Sequence, residues 1–395
     1  MARTRIGVDV GSTAVRVAEV AAGDIPVVVR AAQVPLPPGV VEAGEVRQPE
    51  AVAEALRELW SKSGVKSKQV HLGVGNQRVV VREVALPWLP EKELRDTLGF
   101  QVQEFIPMAS DEAVLDFDPL GEMDQGGRRM VRILLVAAHK PMVNALVEAA
   151  LAAKLDPQGI DLTPFAVIRA VGTGDEGLDL DSSGDEAIVD IGAQVTSICV
   201  HDRGVTRFVR MLPSGGRDIT LALASGLGVD EDVAERLKRG ESLETPTQDD
   251  EPSADRPAIE LPPPADSLPV DGPPADTLPV EAPRGVPTVL PNPTEVREMA
   301  LTRAGSFVDE VRSSLEFYTA QMPNAQIGRV LVVGGGSRLD GLLELLQERL
   351  PVPVDRGRLF ERAKSEIELS AEASAEAEAV LAVAVGLAIP ARRNA

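Results

Sequence analysis

A single cysteine, Cys199, stands among 395 residues, so no disulfide can form within the chain. It falls in an apolar stretch that reads as a strand, where a small core residue is expected and a reactive thiol is the alternative. Aromatic residues amount to 3%, with one tyrosine and two tryptophans, against 44% apolar residues overall. The cores must therefore be built from Val, Leu and Ala. Long apolar runs are missing too: the longest late one, Ala379 to Pro390, is too short to span a bilayer and reads as a buried helix. The start Met-Ala-Arg-Thr-Arg runs into a strand with no apolar signal segment. Positive charge is also short: 40 Lys and Arg face 61 Asp and Glu, a net −21. That balance argues against general nucleic-acid binding and against adhesion to anionic lipid. A Walker A sequence is absent, and G-x-G-x-x-G fails at Leu339, which stands where its last glycine should be.

What is present begins at residue 6. Ile6-Gly7-Val8-Asp9-Val10-Gly11-Ser12-Thr13-Ala14-Val15-Arg16-Val17 reads as strand, tight turn, strand. Asp9 ends the first strand, Gly11 lets the backbone bend, and Ser12 and Thr13 offer hydroxyls and N–H groups. Such a hairpin can hold a metal–polyphosphate, with donors for phosphate oxygens and an acid for the cation. An ordinary Asp-x-Gly hairpin is the other reading of one copy. A second copy stands at Ala187-Ile188-Val189-Asp190-Ile191-Gly192-Ala193-Gln194-Val195-Thr196. Asp9 maps to Asp190 and Gly11 to Gly192, both by 181 (190 − 9 and 192 − 11). Two distant copies imply a duplicated domain with a ligand clamped between the halves.

A third stretch, Arg329-Val330-Leu331-Val332-Val333-Gly334-Gly335-Gly336-Ser337, is a buried strand entering a glycine turn. Three glycines let backbone lie against a flat ligand, and Ser337 can cap a helix behind them. Taken alone, this junction serves a dinucleotide equally well.

Together the three stretches resemble the actin-like ATPase superfamily, which includes actin, the heat-shock chaperone ATPases, sugar kinases and FtsA. Ser214-Gly215-Gly216-Arg217-Asp218 and Ala234-Glu235-Arg236-Leu237-Lys238 extend the likeness to FtsA and its relative PilM, the actin-like family of type IV pilus assembly. So do Leu94 to Pro107 and Glu310 to Tyr318. The PilM family is the better match, over almost the whole chain outside one insertion. The implied fold class is α/β: an actin-like ATPase fold of two duplicated domains around a nucleotide cleft, with an FtsA/PilM-type inserted subdomain.

The resemblance implies ATP and Mg2+ as cofactors. Asp9 and Asp190 would hold the cation; Gly11, Ser12, Thr13, Gly192, Ala193 and Gln194 would form the phosphate loops, with Gly215 and Gly216 behind them. Gly334, Gly335, Gly336 and Ser337 would form the adenosine loop. Glu235 and Lys238, three apart on one helix face, would hold ribose and adenine, or else form a solvated ion pair. Asp161 is the acidic candidate for positioning attacking water, with a surface or cap role as the alternative. Departures at Thr163 and Gln194 put hydrolysis in more doubt than binding.

The organisation expected is domain I from 1 to 77, an inserted subdomain at 78–140, and the remainder of domain I with the connection at 141–184. Domain II follows at 185–239 and 294–369, and a helix from about Ser370 to Ile389, within 370–395, returns to domain I. Between them, 240–293 is rich in proline and acid and lacks aromatics, with Pro263-Pro264-Ala265-Asp266 echoed at Pro273-Pro274-Ala275-Asp276. That composition predicts a disordered, extended insertion. Trp88, Phe100 and Phe105 are expected to pack within the inserted subdomain, or to line a groove for a peptide.

By resemblance, the function is that of an assembly scaffold. A PilN-like bitopic inner-membrane protein would recruit the chain through its cytoplasmic N-terminus, with pilus motor ATPases and the platform protein as further partners. The location would be cytoplasmic and peripheral, without direct membrane insertion and without nucleic acid. An FtsA-like filament protein is the alternative, although the end Pro390-Ala391-Arg392-Arg393-Asn394-Ala395 lacks a basic amphipathic helix. A small-molecule kinase is a third, without a recognisable catalytic base.

Overall fold

The computed structural model describes residues 4–173, 184–241, 292–322 and 325–391. Residues 242–291, nearly all of the 240–293 tract expected to be a disordered insertion, lie outside the described residues. Two compact units are distinguished: Met1–Ile219 with Leu301–Ala395, and Thr220–Ala300.

The elements run in this order. First come β1 (Thr4–Val10), β2 (Ala14–Ala21), β3 (Val27–Pro35), β4 (Val41–Glu42), β5 (Glu45–Val46), α1 (Pro49–Ser63) and β6 (Gln69–Val74). Next are β7 (Val79–Pro87), α2 (Glu91–Gln101), β8 (Ala113–Gln125), β9 (Arg128–His139), α3 (Lys140–Ala152), β10 (Asp156–Leu162) and α4 (Thr163–Val171). Then follow β11 (Asp185–Ile191), β12 (Thr196–Asp202), β13 (Val205–Leu212), α5 (Gly216–Leu227), α6 (Glu231–Lys238), α7 (Pro293–Gln321) and β14 (Ile327–Val333). The chain ends with α8 (Leu342–Arg349), β15 (Val354–Arg356), α9 (Leu359–Arg362), β16 (Lys364–Ser365), α10 (Ala371–Val380) and α11 (Ala382–Ala388).

The duplication is visible in the sheets. One has the order β10-β6-β1-β2-β3-β16 and the other β13-β12-β11-β14-β15. In each, an antiparallel hairpin (β1–β2 or β11–β12) is flanked by a parallel strand, β6 or β14. The offset persists in the register: Asp9 faces Arg16 and Asp190 faces Ser197, again 181 apart (197 − 16).

The central strands are apolar on both faces because helices cover both faces. Val52, Leu56 and Leu59 of α1 and Met142, Val143 and Leu146 of α3 share a core with Ile6, Val8 and Leu72. On the other side α4 and α11 form a second core that reaches Ile188, Cys199 and Leu331 of the second sheet. Cys199 is 1% exposed there, and burial pushes its thiol well above the usual range.

The single helix expected from Ser370 to Ile389 is two helices, broken at Leu381. The Ala379 carbonyl accepts from the Gly334 N–H at 2.8 Å, tying α10 to the glycine turn. Beyond the break α11 packs onto β1, so closely that a Cβ at Gly7 would lie 2.0 Å from the Ala384 carbonyl oxygen.

Residues 79–139 carry a separate three-stranded sheet of order β7-β9-β8. Leu94 and Leu98 of α2 cover it, against Val84, Leu86, Phe117, Ile133 and Leu135. Phe105 packs against this core in part, while Trp88 donates its indole N–H to Glu122 at 2.9 Å. Phe100 departs from the packing expectation: it is 84% exposed, on the face of α2 opposite Leu94 and Leu98.

Within the unit Thr220–Ala300, α6 buries Ala234 and presents Glu235 and Lys238 on a neighbouring face.

Candidate functional site

The two Asp-x-Gly turns have the same backbone. The Gly11 N–H donates to the Ala14 carbonyl at 3.0 Å, and the Gly192 N–H donates to the Val195 carbonyl at 3.0 Å. Strand pairing thus continues through Asp9 and Asp190 and stops at the glycines, leaving each carboxylate at the sheet's end. Ser12 and Thr13 lie in the first turn, Ala193 and Gln194 in the second.

Around Asp190 the glycine stretches converge. Gly334 has φ 86°, a left-handed conformation, and a Cβ there would meet the Ile191 carbonyl oxygen at 2.4 Å and Asp190 Oδ1 at 2.5 Å. Only glycine fits. The Gly216 and Arg217 N–H groups donate to the carbonyls of Gly192 and Ala193 at 2.9 and 2.8 Å, so the second turn is bolted to the start of α5. Gly215 closes that junction by donating to Asp218 Oδ2 at 2.8 Å. Gly335 and Gly336 follow in a short 3-10 turn. Ser337 does not cap the next helix as expected: its hydroxyl donates to the Gly334 carbonyl at 2.7 Å, and α8 starts only after Gly341, at φ 82°.

The electrostatics are those of a site short of positive charge. Arg16 Nη1 lies 3.3 Å from Asp9 Oδ2, and it is the guanidinium set against both carboxylates. Burial raises Asp9 above its ordinary value, with Arg16 opposing. Asp190 is pushed up to about 7 by burial first and by the charge of Asp9 second. Two partly buried carboxylates facing the Arg16 guanidinium favour an added cation, which would lower both. Among the described residues no group of three or more His, Cys, Asp or Glu side chains forms a metal cluster. Two acids suit an ion that keeps several waters and shares its other positions with phosphate oxygens.

Asp161 lies at the same end of the first sheet as Asp9, two strands away, since Leu72 pairs with both Val8 and Ile160. It pairs in register with Gly73, accepts from the Leu162 N–H at 2.7 Å, and forms an ion pair with Arg169. Arg169 in turn donates to the Gly386 carbonyl at 3.0 Å, so this acid fastens β10 to α4 and α11. Glu235 and Lys238 pair with each other at 2.6 Å, and Thr220 bridges them, with Lys238 Nζ at 2.7 Å from its hydroxyl. Burial opposes the charge on Glu235, but Lys238 holds its carboxyl below the usual range; burial lowers Lys238.

Three groups escaped the sequence reading. Arg16 belongs to no motif of its own; its position facing Asp9 follows from the hairpin register. Ser214, just before the glycine pair, has a buried hydroxyl with no hydrogen-bond partner among the described residues. The third is a cluster at the far end of β11. Glu186, 4% exposed, accepts from His201 Nε2 at 3.0 Å, the Thr173 N–H at 2.9 Å and Arg329 Nε at 2.5 Å. The Gly204 N–H donates to His201 Nδ1, so the ring proton sits on Nε2 and points at Glu186.

Comparison with known proteins gives the same answer over both halves. The family model described as type IV pilus assembly protein PilM matches residues 7–250. The chain belongs to the PilM family. The model of cell division protein FtsA matches residues 187–386, in keeping with the relationship of PilM to FtsA. A solved PilM-PilN type IV pilus biogenesis complex contains a chain 25% identical, with 98% of each chain covered and a TM-score of 0.74. Two more distant structures share the fold. The ethanolamine utilization protein EutJ from Carboxydothermus hydrogenoformans is 16% identical, covering 98% of this chain and 89% of that one, with a TM-score of 0.52. A diol dehydratase-reactivating factor in nucleotide-free form is 12% identical over 98% and 99%, with a TM-score of 0.51. The α/β fold of this PilM-family chain is thus that of the actin-like ATPases, and among the described residues no helix is long and apolar enough to cross a membrane.

Proposed function

We propose that this PilM-family chain is an ATP-binding scaffold of type IV pilus assembly. A PilN-like bitopic protein would hold it at the inner-membrane face by its cytoplasmic N-terminal peptide, linking the platform to the motor ATPases. The observation that carries the nucleotide reading is the convergence of two Asp-x-Gly turns and the Gly334 turn around two carboxylates with one guanidinium. Backbone N–H groups after Gly11 and Gly192, with Ser12, Thr13, Ala193 and Gln194, would hold phosphates. Arg16, beside Gly11, brings further donors, and Ser214 offers an unused hydroxyl. Asp9 and Asp190 would hold Mg2+, largely through its waters. The bound ion supplies the charge that two partly buried acids and a polyphosphate lack in each other's presence. Gly334 to Ser337 would lie along the adenosine, with Glu235 and Lys238 as the proposed ribose and adenine partners. Contacts from both halves bias closure only by the difference in affinity between open and closed states.

The partner reading is supported by acid on the inserted sheet. Asp118 is raised by partial burial first, then by the carboxylates of Asp116 on the same strand and Asp161 in the first half. Asp116, Asp118 and Asp161 lie within electrostatic reach of one another, with Arg95 and Arg169 partly offsetting them, and this acid would favour an extended peptide with basic residues beside the inserted sheet. The PilM model, unlike the FtsA model, includes the inserted sheet in its match, which favours the pilus reading over a cell-division filament.

The test is calorimetry with Mg-ATP and with a PilN-like N-terminal peptide. Wild type should bind both. Asp9→Ala and Asp190→Ala should each weaken Mg-dependent ATP binding at least about tenfold, the loss of one good charge contact, with normal melting. Unchanged affinity in both variants removes these carboxylates from the site, and equal peptide binding by a folded variant lacking 78–140 excludes the inserted sheet.

A further inference from the structure

An unbroken line of short contacts runs from the second Asp-x-Gly turn to the inserted sheet, and a small hairpin forms its middle. β4 and β5 pair Val41 with Val46 and Glu42 with Glu45, leaving Ala43 and Gly44 as the turn. Both have positive φ, 47° and 77°. A two-residue turn of this kind suits strand twist, but its first position favours Asn, Asp or Gly. Alanine is held there against its steric preference. Backbone strain of this sort persists where the surroundings over-determine it.

At the tip, the Ala43 N–H donates to Oε1 of Gln194 at 2.7 Å. Gln194 lies within the turn that Gly192 and Val195 close, beside Asp190. At the base, Glu45 is 9% exposed and takes Arg47 at 3.0 Å and Arg78 at 2.9 Å. The fully buried Asn76 reaches the same carboxylate at 3.5 Å and accepts from the Arg78 N–H at 2.8 Å. Its carbonyl accepts from the N–H of Val79, the first residue of β7, at 3.1 Å.

We infer that this hairpin is a strut by which the position of the second Asp-x-Gly turn sets the position of the inserted sheet. The tip bond ties the hairpin to the second turn through one N–H and one amide oxygen, so it limits the separation of the two to what the Gln194 side chain can follow. Two guanidiniums on Glu45 keep the base from absorbing a displacement by side-chain rotation. A shift of Gln194 therefore moves Glu45, Arg78 and the start of β7 as a body. The trigger rests on the nucleotide reading above; the mechanical link does not. By linkage, whatever docks on the inserted sheet alters affinity at the turn by the same factor.

The test is hydrogen–deuterium exchange on the full chain, read by mass spectrometry, with calorimetry in parallel. In wild type, Mg-ATP should slow exchange in residues 41–46 and 76–87 together, by about threefold or more. Arg78→Gln removes the shorter of the two contacts beyond the hairpin, leaving Asn76 at 3.5 Å from Glu45, and it does so at a half-exposed side chain, so its fold is safe. It should bind Mg-ATP as wild type does and keep protection at 41–46, with less than half the protection at 76–87. Equal protection at 76–87 in the two proteins overturns the strut, as does its absence in a wild type that binds Mg-ATP. A wild type that does not bind Mg-ATP overturns the nucleotide reading instead. The strut is then decided without ligand: Gln194→Ala should speed exchange at 41–46 and 76–87 in concert, and a rise at 41–46 alone overturns it.

Discussion

Glu186 keeps its charge in a nearly dry place. Burial opposes ionisation, yet hydrogen bonds from His201 and Thr173 and the charge of Arg329 hold its carboxyl down at about 2, from an ordinary 4.5. A carboxyl depressed on folding stabilises the folded state above its unfolded value, and the gain is lost as pH falls through the folded one. The window is therefore about pH 4.5 down to about 2, and the gain is on the order of 3 kcal/mol. Urea unfolding should show wild type more stable than Glu186→Gln at neutral pH, with the gap narrowing through that window. A gap independent of pH would mean that packing, not charge, is what the glutamate contributes. Sequence could not supply this cluster, since its members are 13, 15 and 143 positions from Glu186. Asp9 and Asp190 were legible because each announces itself locally, by a glycine two residues on. Asp161 shows what type alone leaves open: an acid in the connecting region reads as a water-positioning group or as a surface or cap residue, and the ion pair with Arg169 could not be read from the sequence.

Among the elements, α11 illustrates how a helix is fixed by what it lacks. Gly7 on β1 and Gly386 on α11 leave room for backbone to approach backbone; a Cβ at Gly386 would lie 1.8 Å from the Ala166 carbonyl oxygen. Gly7→Ala should therefore destabilise the protein by about 2 kcal/mol or more, as overpacking against rigid backbone does. Thermal melting checks this; an unchanged midpoint would show that α11 can lift off β1 without loss. The alanine-rich run predicted a helix in this region, but not its break. Composition says that residues 370–389 favour helix; it does not say that the Gly334 N–H claims the Ala379 carbonyl. The same blindness applies to β4 and β5, two residues each, too short for any periodicity to register. Long, strongly patterned elements such as α1 and the two hairpins were readable because burial on one face dictates their spacing.

For the whole molecule the governing quantity is charge. With a net −21, binding of a basic peptide should be assisted at long range. Raising ionic strength from about 0.05 M to about 0.5 M shortens the screening length well below the spacing of surface charges. The peptide's association rate and affinity should fall together, while a peptide with its basic residues replaced by glutamine should show a flat salt profile. Parallel profiles for the two would remove charge from the recognition. The duplicated architecture has a consequence of its own. A cleft made from two copies of one hairpin would, if the copies were equal, admit a linear polyanion either way round. The mismatch at one register position, guanidinium at Arg16 and hydroxyl at Ser197, abolishes that equivalence. Ser12 and Thr13 against Ala193 and Gln194 add to that difference, so a polyanion held between the copies would have a preferred direction: divergence after duplication has turned a palindrome into a sentence.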